Sequence, residues 1–291
     1  MLIKDIAKRI RDKIIKDVKP GVKLIDIANG IENAIFEYGA KPAFPLNISI
    51  GHIAAHATPA INDNAIIGNE LVKVDFGIAL DGIISDNAIT LDFNGNFDKI
   101  VECSEMALQK AIEEIKPGKT IKEISNVIYR EIKKYDFKPI SNLTGHKIEG
   151  MHLHSGITLP NVPVNDVYVI KEGDVFAIEP FVTSKDASGY VVEKNEVEIY
   201  SYLKHSRFRF RESKIIADYI KDKYGILPFA ERWIYEKVNN KILLHAALKE
   251  MLSLKSIQAY PILEEQKKGQ VAQAEKTVIV TKDGCEPLIS D

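Results

Sequence analysis

Only two cysteines, Cys103 and Cys285, occur in the 291 residues. They make neither a disulfide framework nor a zinc-ligand pair. Free thiols fit a reducing compartment, so the cytoplasm is expected. No apolar stretch is long enough to span a bilayer, which excludes a transmembrane helix. The first residues lack the continuous apolar core of a signal peptide. Their apolar positions, Ile3, Ile6, Ile10 and Ile14, have the spacing of an amphipathic helix. An excess of charge of one sign is also missing: 39 Lys and Arg face 41 Asp and Glu, for a net charge of -2. No whole-chain attraction to DNA or to a membrane surface is expected. Hydrophobic residues at 45% and charged residues at 27% are ordinary for a soluble chain with one large or two modest domains.

What is present begins with two aspartates inside one apolar hairpin, Lys73-Val74-Asp75-Phe76-Gly77 and Ile84-Ser85-Asp86-Asn87. The strands are joined at Leu80-Asp81-Gly82, and an Asp-Gly pair between alternating apolar residues is a hairpin signal. A tight turn at Leu80-Asp81 sets Asp75 and Asp86 directly opposite. A turn at Asp81-Gly82 makes them diagonal neighbours on one face. One aspartate in a strand is best read as a turn cap or a lysine's partner. Two on one poorly solvated face repel, and a divalent metal is the natural counter-charge for hard oxygen ligands.

The chain repeats itself. Lys19-Pro20-Gly21 recurs as Lys116-Pro117-Gly118, an offset of 97. At the same offset Ile27, Ile31 and Ile35 match Ile124, Ile128 and Ile132, and Lys41-Pro42 matches Lys138-Pro139. Each copy reads as helix, Pro-Gly break, amphipathic helix and strands. Two related halves, about 1–97 and 98–291, are expected to pack as a pseudo-dimer with a site between them. Strands are expected at Asp174–Glu179, Glu196–Tyr200 and Thr277–Val280. From about Ser206 to Leu263 the pattern turns helical, as in an inserted subdomain. Arg207-Phe208-Arg209-Phe210-Arg211 at its front is read as a solvated edge strand in preference to a nucleic-acid patch.

Further candidate ligands follow. His146 lies beside Gly145, which lets another chain approach. His152 and His154 share a face if their segment is extended. Glu179 and Glu275 sit at the mouths of apolar strands. His56 lies among small residues in Ala54-Ala55-His56-Ala57-Thr58-Pro59, which leave room for a ligand against its ring.

In order, Val74-Asp75-Phe76-Gly77, Asp86, Gly145-His146, Phe176-Ala177-Ile178-Glu179-Pro180-Phe181 and Ala274-Glu275-Lys276-Thr277 resemble the methionine aminopeptidases. Ala55-His56-Ala57-Thr58-Pro59, the helical insertion and its Pro228-Phe229-Ala230-Glu231-Arg232-Trp233 are similar to the archaeal-like type 2 branch. The resemblance covers nearly the whole chain. It implies an α+β fold, the duplicated pita-bread fold of the creatinase and prolidase superfamily, here with a helical insertion. It also implies an enzyme removing the N-terminal methionine of peptides and nascent chains with two divalent ions, cobalt, manganese, iron or zinc. Asp75, Asp86, His146, Glu179 and Glu275 would be the metal ligands, with Asp86 and Glu275 bridging. Glu179 would carry a proton to the leaving amine, His154 would stabilise the oxyanion, and His56 would contact the peptide. Phe44 is the candidate wall of the methionine pocket. The chain departs from the type 2 pattern at Ala57, Ala274 and Lys276, where Tyr, Phe and His are usual; these positions bear on substrate range. A monomer is expected because the duplication already supplies a two-fold, and ribosome association would suit an enzyme of nascent chains. The rivals are an Xaa-Pro dipeptidase of the same superfamily and a non-catalytic pita-bread protein that binds RNA or the ribosome.

Overall fold

The computed structural model describes residues 2–289. The first half runs α1 (Ile3–Asp17), α2 (Leu24–Glu37), β1 (Lys41–Pro42), β2 (Asn47–Ile50), β3 (Ile53–Ala55), β4 (Leu71–Leu80) and β5 (Ile83–Asp92). The second opens in the same order with α3 (Asp98–Glu114), α4 (Ile121–Lys134), β6 (Lys138–Pro139) and β7 (Thr144–Ile148). It continues through β8 (Thr158–Pro160), β9 (Val175–Ile178), β10 (Phe181–Thr183) and β11 (Val191–Tyr202). Three helices follow, α5 (Arg211–Lys223), α6 (Glu231–Val238) and α7 (Lys241–Ser253), with β12 (Phe229–Ala230) before α6. The chain closes with β13 (Ile257–Glu265), β14 (Val271–Gln273), β15 (Glu275–Val280) and β16 (Cys285–Pro287).

The repeat extends to hydrogen bonds. After each Pro-Gly break the glycine N–H donates to an isoleucine carbonyl beyond the next helix, Gly21 to Ile67 at 2.7 Å and Gly118 to Ile170 at 2.9 Å. Ile27, Ile31 and Ile35 on α2 and Ile124, Ile128 and Ile132 on α4 are all buried, because the i, i+4 spacing puts them on one stripe. A nine-stranded sheet joins the halves in the order β1-β4-β5-β15-β9-β7-β8, with β2 paired to β4 and β16 to β15. Helices cover one face. α1 and α2 pack on Val72, Val74, Phe76 and Ile78, whereas α3 and α4 pack on Phe176, Ile178, Val278 and Val280. Strand alternation sends Asp75 and Asp86 to the other face.

Two expectations change. The stretch read as helical to Leu263 ends as helix at Ser253, and Ile257–Glu265 is a strand returning beside β11. The apolar residues near its end fit a strand as well as a helix, and pairing with β11 decides between them. The segment Arg207–Phe210 is not an edge strand. The Glu250 carboxylate accepts the N–H of Arg209 at 2.8 Å and of Phe210 at 3.2 Å, and Arg211 begins α5. These backbone donors are satisfied by a side chain instead of a neighbouring strand. No described helix is long and apolar enough to cross a membrane.

Candidate metal centre and cavity

The hairpin turn is Asp81-Gly82, with φ of 50° and 80°, the left-handed pair that a two-residue hairpin turn needs. Leu80 therefore pairs with Ile83, Asp75 with Ala88 and Gly77 with Asp86, so the two aspartates are diagonal neighbours on one face. Glu275 at the start of β15 also pairs with Ala88, from the opposite side. Ala88 thus lies between two carboxylates, and its methyl leaves the space above it free. Glu179 follows β9, and His146 on β7 pairs with Ala177 of β9. Five neighbouring strands, β4, β5, β15, β9 and β7, each bring one candidate to the same face.

The distances are short. His146 Nε2 lies 3.5 Å from Asp86 Oδ2 and 3.6 Å from Glu179 Oε1. Ligand atoms of Asp86, His146 and Glu275 all fall within 4.8 Å of one another. Burial and mutual repulsion govern the electrostatics. Burial pushes the Asp86 carboxyl up to about 7. Asp75 and Glu179 are raised well above the usual carboxylate range by burial and then by their acidic neighbours, among them Asp86. Glu275 is raised by burial and by Asp86, Glu179 and Asp75. Burial holds His146 down at about 4, so it is neutral and able to ligate. Asp75 Oδ1 and Asp86 Oδ1 are buried with no hydrogen-bond partner. Orphaned, repelling, hard oxygens beside one neutral imidazole fit a divalent cation, whose charge would remove the repulsion.

These residues share a cavity of about 220 Å³ with Phe44, His56 and His154. The His154 ring, on an exposed residue at the cavity edge, stands 4.2 Å from that of His146, and partial desolvation together with that neighbour lowers its pKa. The segment carrying it is not extended: Glu149 and His152 close a small turn by mutual backbone hydrogen bonds of 3.0 Å, and His152 is exposed. His56 occupies a left-handed backbone position, φ 62°, uncommon for a residue with a side chain, and its Nδ1 lies 3.1 Å from the Pro261 carbonyl. Burial pushes it to about 4, the Pro261 contact opposing and His154 adding to the shift. Two glycines permit close approach. A Cβ on Gly145 would stand 2.5 Å from the Ala177 carbonyl, and one on Gly77 would run into the Phe44 ring.

Sequence reasoning missed several supports. Gln273, fully buried, donates to Glu275 Oε2 at 3.1 Å and also faces Asp75. Thr277 Oγ1 accepts the Asp86 N–H at 2.7 Å and donates to the Asp86 carbonyl at 3.0 Å. Both lie two residues from Glu275, and strand alternation could have flagged them. Tyr260 lines the cavity from a distant segment and carries no local signal; Pro228, in the stretch already singled out for its resemblance, lines it too.

A sequence model of metallopeptidase family M24 matches residues 3–282. A methionine aminopeptidase of Methanocaldococcus jannaschii is 42% identical, covering 97% of this chain and 94% of that one. Among solved structures, a thermophilic Arx1 superposes with a TM-score of 0.83 at 16% identity, covering 99% of this chain and 89% of that one. A methionine aminopeptidase from Thermotoga maritima gives 0.70 at 20% identity, covering 98% and 92%. At these identities the two structures speak for the fold, which is the duplicated pita-bread arrangement.

Proposed function

The chain belongs to metallopeptidase family M24, and on that footing we propose that it is a methionyl aminopeptidase that removes the N-terminal methionine from peptides and nascent proteins. The observation that carries this reading is the cluster itself, four carboxylates and an imidazole from adjacent strands around orphaned buried oxygens. Asp75, Asp86, His146, Glu179 and Glu275 would hold the metal. Two ions, drawn from cobalt, manganese, iron or zinc, would balance four negative side chains. When bound, the metal supplies Lewis acidity and lowers the pKa of water into the neutral range.

The remaining steps belong to the chain. The substrate's α-amino group lies on the Asp75 side, which restricts cleavage to a free amino terminus. Phe44, Ile199, Pro228 and Tyr260 on the cavity wall receive the methionine side chain. His154, neutral, donates an N–H to the carbonyl oxygen as negative charge develops there. Nδ1 of His56 donates to Pro261, which leaves Nε2 to accept a peptide N–H beside the cleaved bond. The Glu179 carboxylate takes a proton from the attacking water and gives it to the leaving amine. The chain acts as a monomer in the cytosol, a reading supported by its internal duplication and its free thiols.

The test is turnover by metal-free protein titrated with each ion, comparing Met-Ala-Ser with an Xaa-Pro dipeptide. Release of methionine with at least one ion is expected. Cleavage of the Xaa-Pro substrate alone, or of neither, sinks the reading.

A further inference from the structure

Among the contacts of the helical insert with the first half is one buried carboxylate. Glu32 on α2 is 4% exposed. Its Oε1 accepts the N–H of Leu46 at 3.0 Å and pairs with Nη2 of Arg232, and its Oε2 accepts Nε1 of Trp233 at 2.8 Å. These contacts reach both sides of the cavity. Leu46 stands between Phe44 and Asn47, which line it, and the Leu46 carbonyl accepts the Thr58 hydroxyl at 2.7 Å, close to His56. Arg232 and Trp233, near the start of α6, follow closely on Leu227-Pro228. Pro228 lines the cavity, and Leu227 packs with Phe44 and Leu153. The Trp233 ring is itself stacked 5.3 Å from Tyr224, with the Arg232 guanidinium 5.6 Å from its centre. Glu32, Arg232 and Trp233 do not line the cavity.

A surface ion pair would leave its elements free to drift. A buried carboxylate with charge-assisted and backbone hydrogen bonds holds a single geometry, because any displacement exposes an unpaired charge to a poorly solvated interior. The cavity wall includes Phe44, Asn47 and Pro228 from segments remote in sequence, so a contact that joins those segments bears on its width. We propose that Glu32, acting through Arg232 and Trp233, is a positioning residue that latches the insert to the first half, fixes where Pro228 stands relative to Phe44 and Asn47 on the cavity wall, and so selects the N-terminal side chain. The proposal rests on the aminopeptidase reading of the cavity. The insert thereby contributes part of the cavity wall and the contacts that hold it in place.

Trp233 is the only tryptophan in the chain, so its emission reports on the latch. L-Methionine is added to the metal-loaded protein, with binding followed separately by calorimetry. A fixed latch predicts wild-type emission that stays constant across the calorimetric isotherm, and emission of Glu32→Gln that differs from the wild type before any ligand is added. Wild-type emission in folded Glu32→Gln, or emission of the wild type that shifts along the isotherm, overturns the latch. Neither binding nor turnover of Met-Ala-Ser overturns the aminopeptidase reading, and the latch with it.

Two variants supply a second readout. Glu32→Gln keeps an acceptor for Leu46 but loses the charge, and Trp233→Phe removes one hydrogen bond. In each, KM for Met-Ala-Ser rises about tenfold while kcat stays within about twofold. Selectivity for Met-Ala-Ser over Leu-Ala-Ser falls about tenfold, and the metal stoichiometry is unchanged. If Glu32→Gln does not fold, Trp233→Phe carries the test. A folded variant with wild-type KM and selectivity overturns the proposal while leaving the aminopeptidase reading in place.

Discussion

His154→Ala removes the neutral imidazole proposed to meet the carbonyl oxygen, and kcat is expected to fall about 10²-fold or more, the usual effect of losing one oxyanion donor. Metal content measured on the same sample stays at the wild-type level; full activity would remove His154 from the mechanism. Asp86→Asn is expected to lose metal by elemental analysis, because Asp86 lies among all the other candidates, within reach of His146 and Glu275. An unchanged metal count would break the ligand assignment. His56 gives a pH prediction. Its folded pKa is about 4 against 6.5 for the free side chain, so between these values the unfolded chain binds more protons. Its contribution to stability is therefore lost as pH falls from about 6.5 through about 4. The half-buried ring limits the effect to on the order of 1 kcal/mol. Melting temperatures of the wild type and His56→Gln, measured across that window, should converge towards acid pH; parallel curves would contradict the shift. The convergence of these side chains was legible in part because each candidate stands at the mouth of an apolar strand or inside one. The left-handed backbone of His56 was not legible, since only the contact with Pro261, far away in sequence, shows which conformation the loop takes.

At the scale of elements, the critical contact is β7 against β9, since it brings His146 to Glu179. Gly145→Ala places a methyl against the Ala177 carbonyl, and backbone cannot yield as a side-chain tip can. A loss of roughly 1–3 kcal/mol is expected in denaturant unfolding, as for other overpacked sites, together with weakened metal binding. A variant as stable as the parent would show that the two strands separate easily. Helices with strict i, i+4 isoleucines could be read directly, and so could the Asp-Gly hairpin, because local periodicity and turn chemistry decide them. The Arg207–Phe210 segment misled for the converse reason. Alternating Arg and Phe carry a strand's period, but among the described residues no strand pairs with them, and Glu250 from α7 takes the backbone donors of Arg209 and Phe210.

For the whole molecule, a metal held by the proposed ligands would cross-link five neighbouring strands drawn from both halves. Chelation is expected to lower the melting temperature, because a ligand held by the folded state alone at a hundred times its Kd contributes about 2.7 kcal/mol. Calorimetry before and after removal checks this; an unchanged midpoint would mean that the cluster binds nothing of consequence. The sequence by itself determined the duplicated helix–strand pattern, the hairpin and the identity of the acidic side chains, all properties of neighbouring residues. Only the tertiary structure decided which carboxylates share a face across β5, β15 and β9, how Ala88 spaces them, and how Glu32 reaches Arg232 and Trp233. Those depend on strand order and register between segments far apart in the chain, set by packing over the entire core and by no local run of residues.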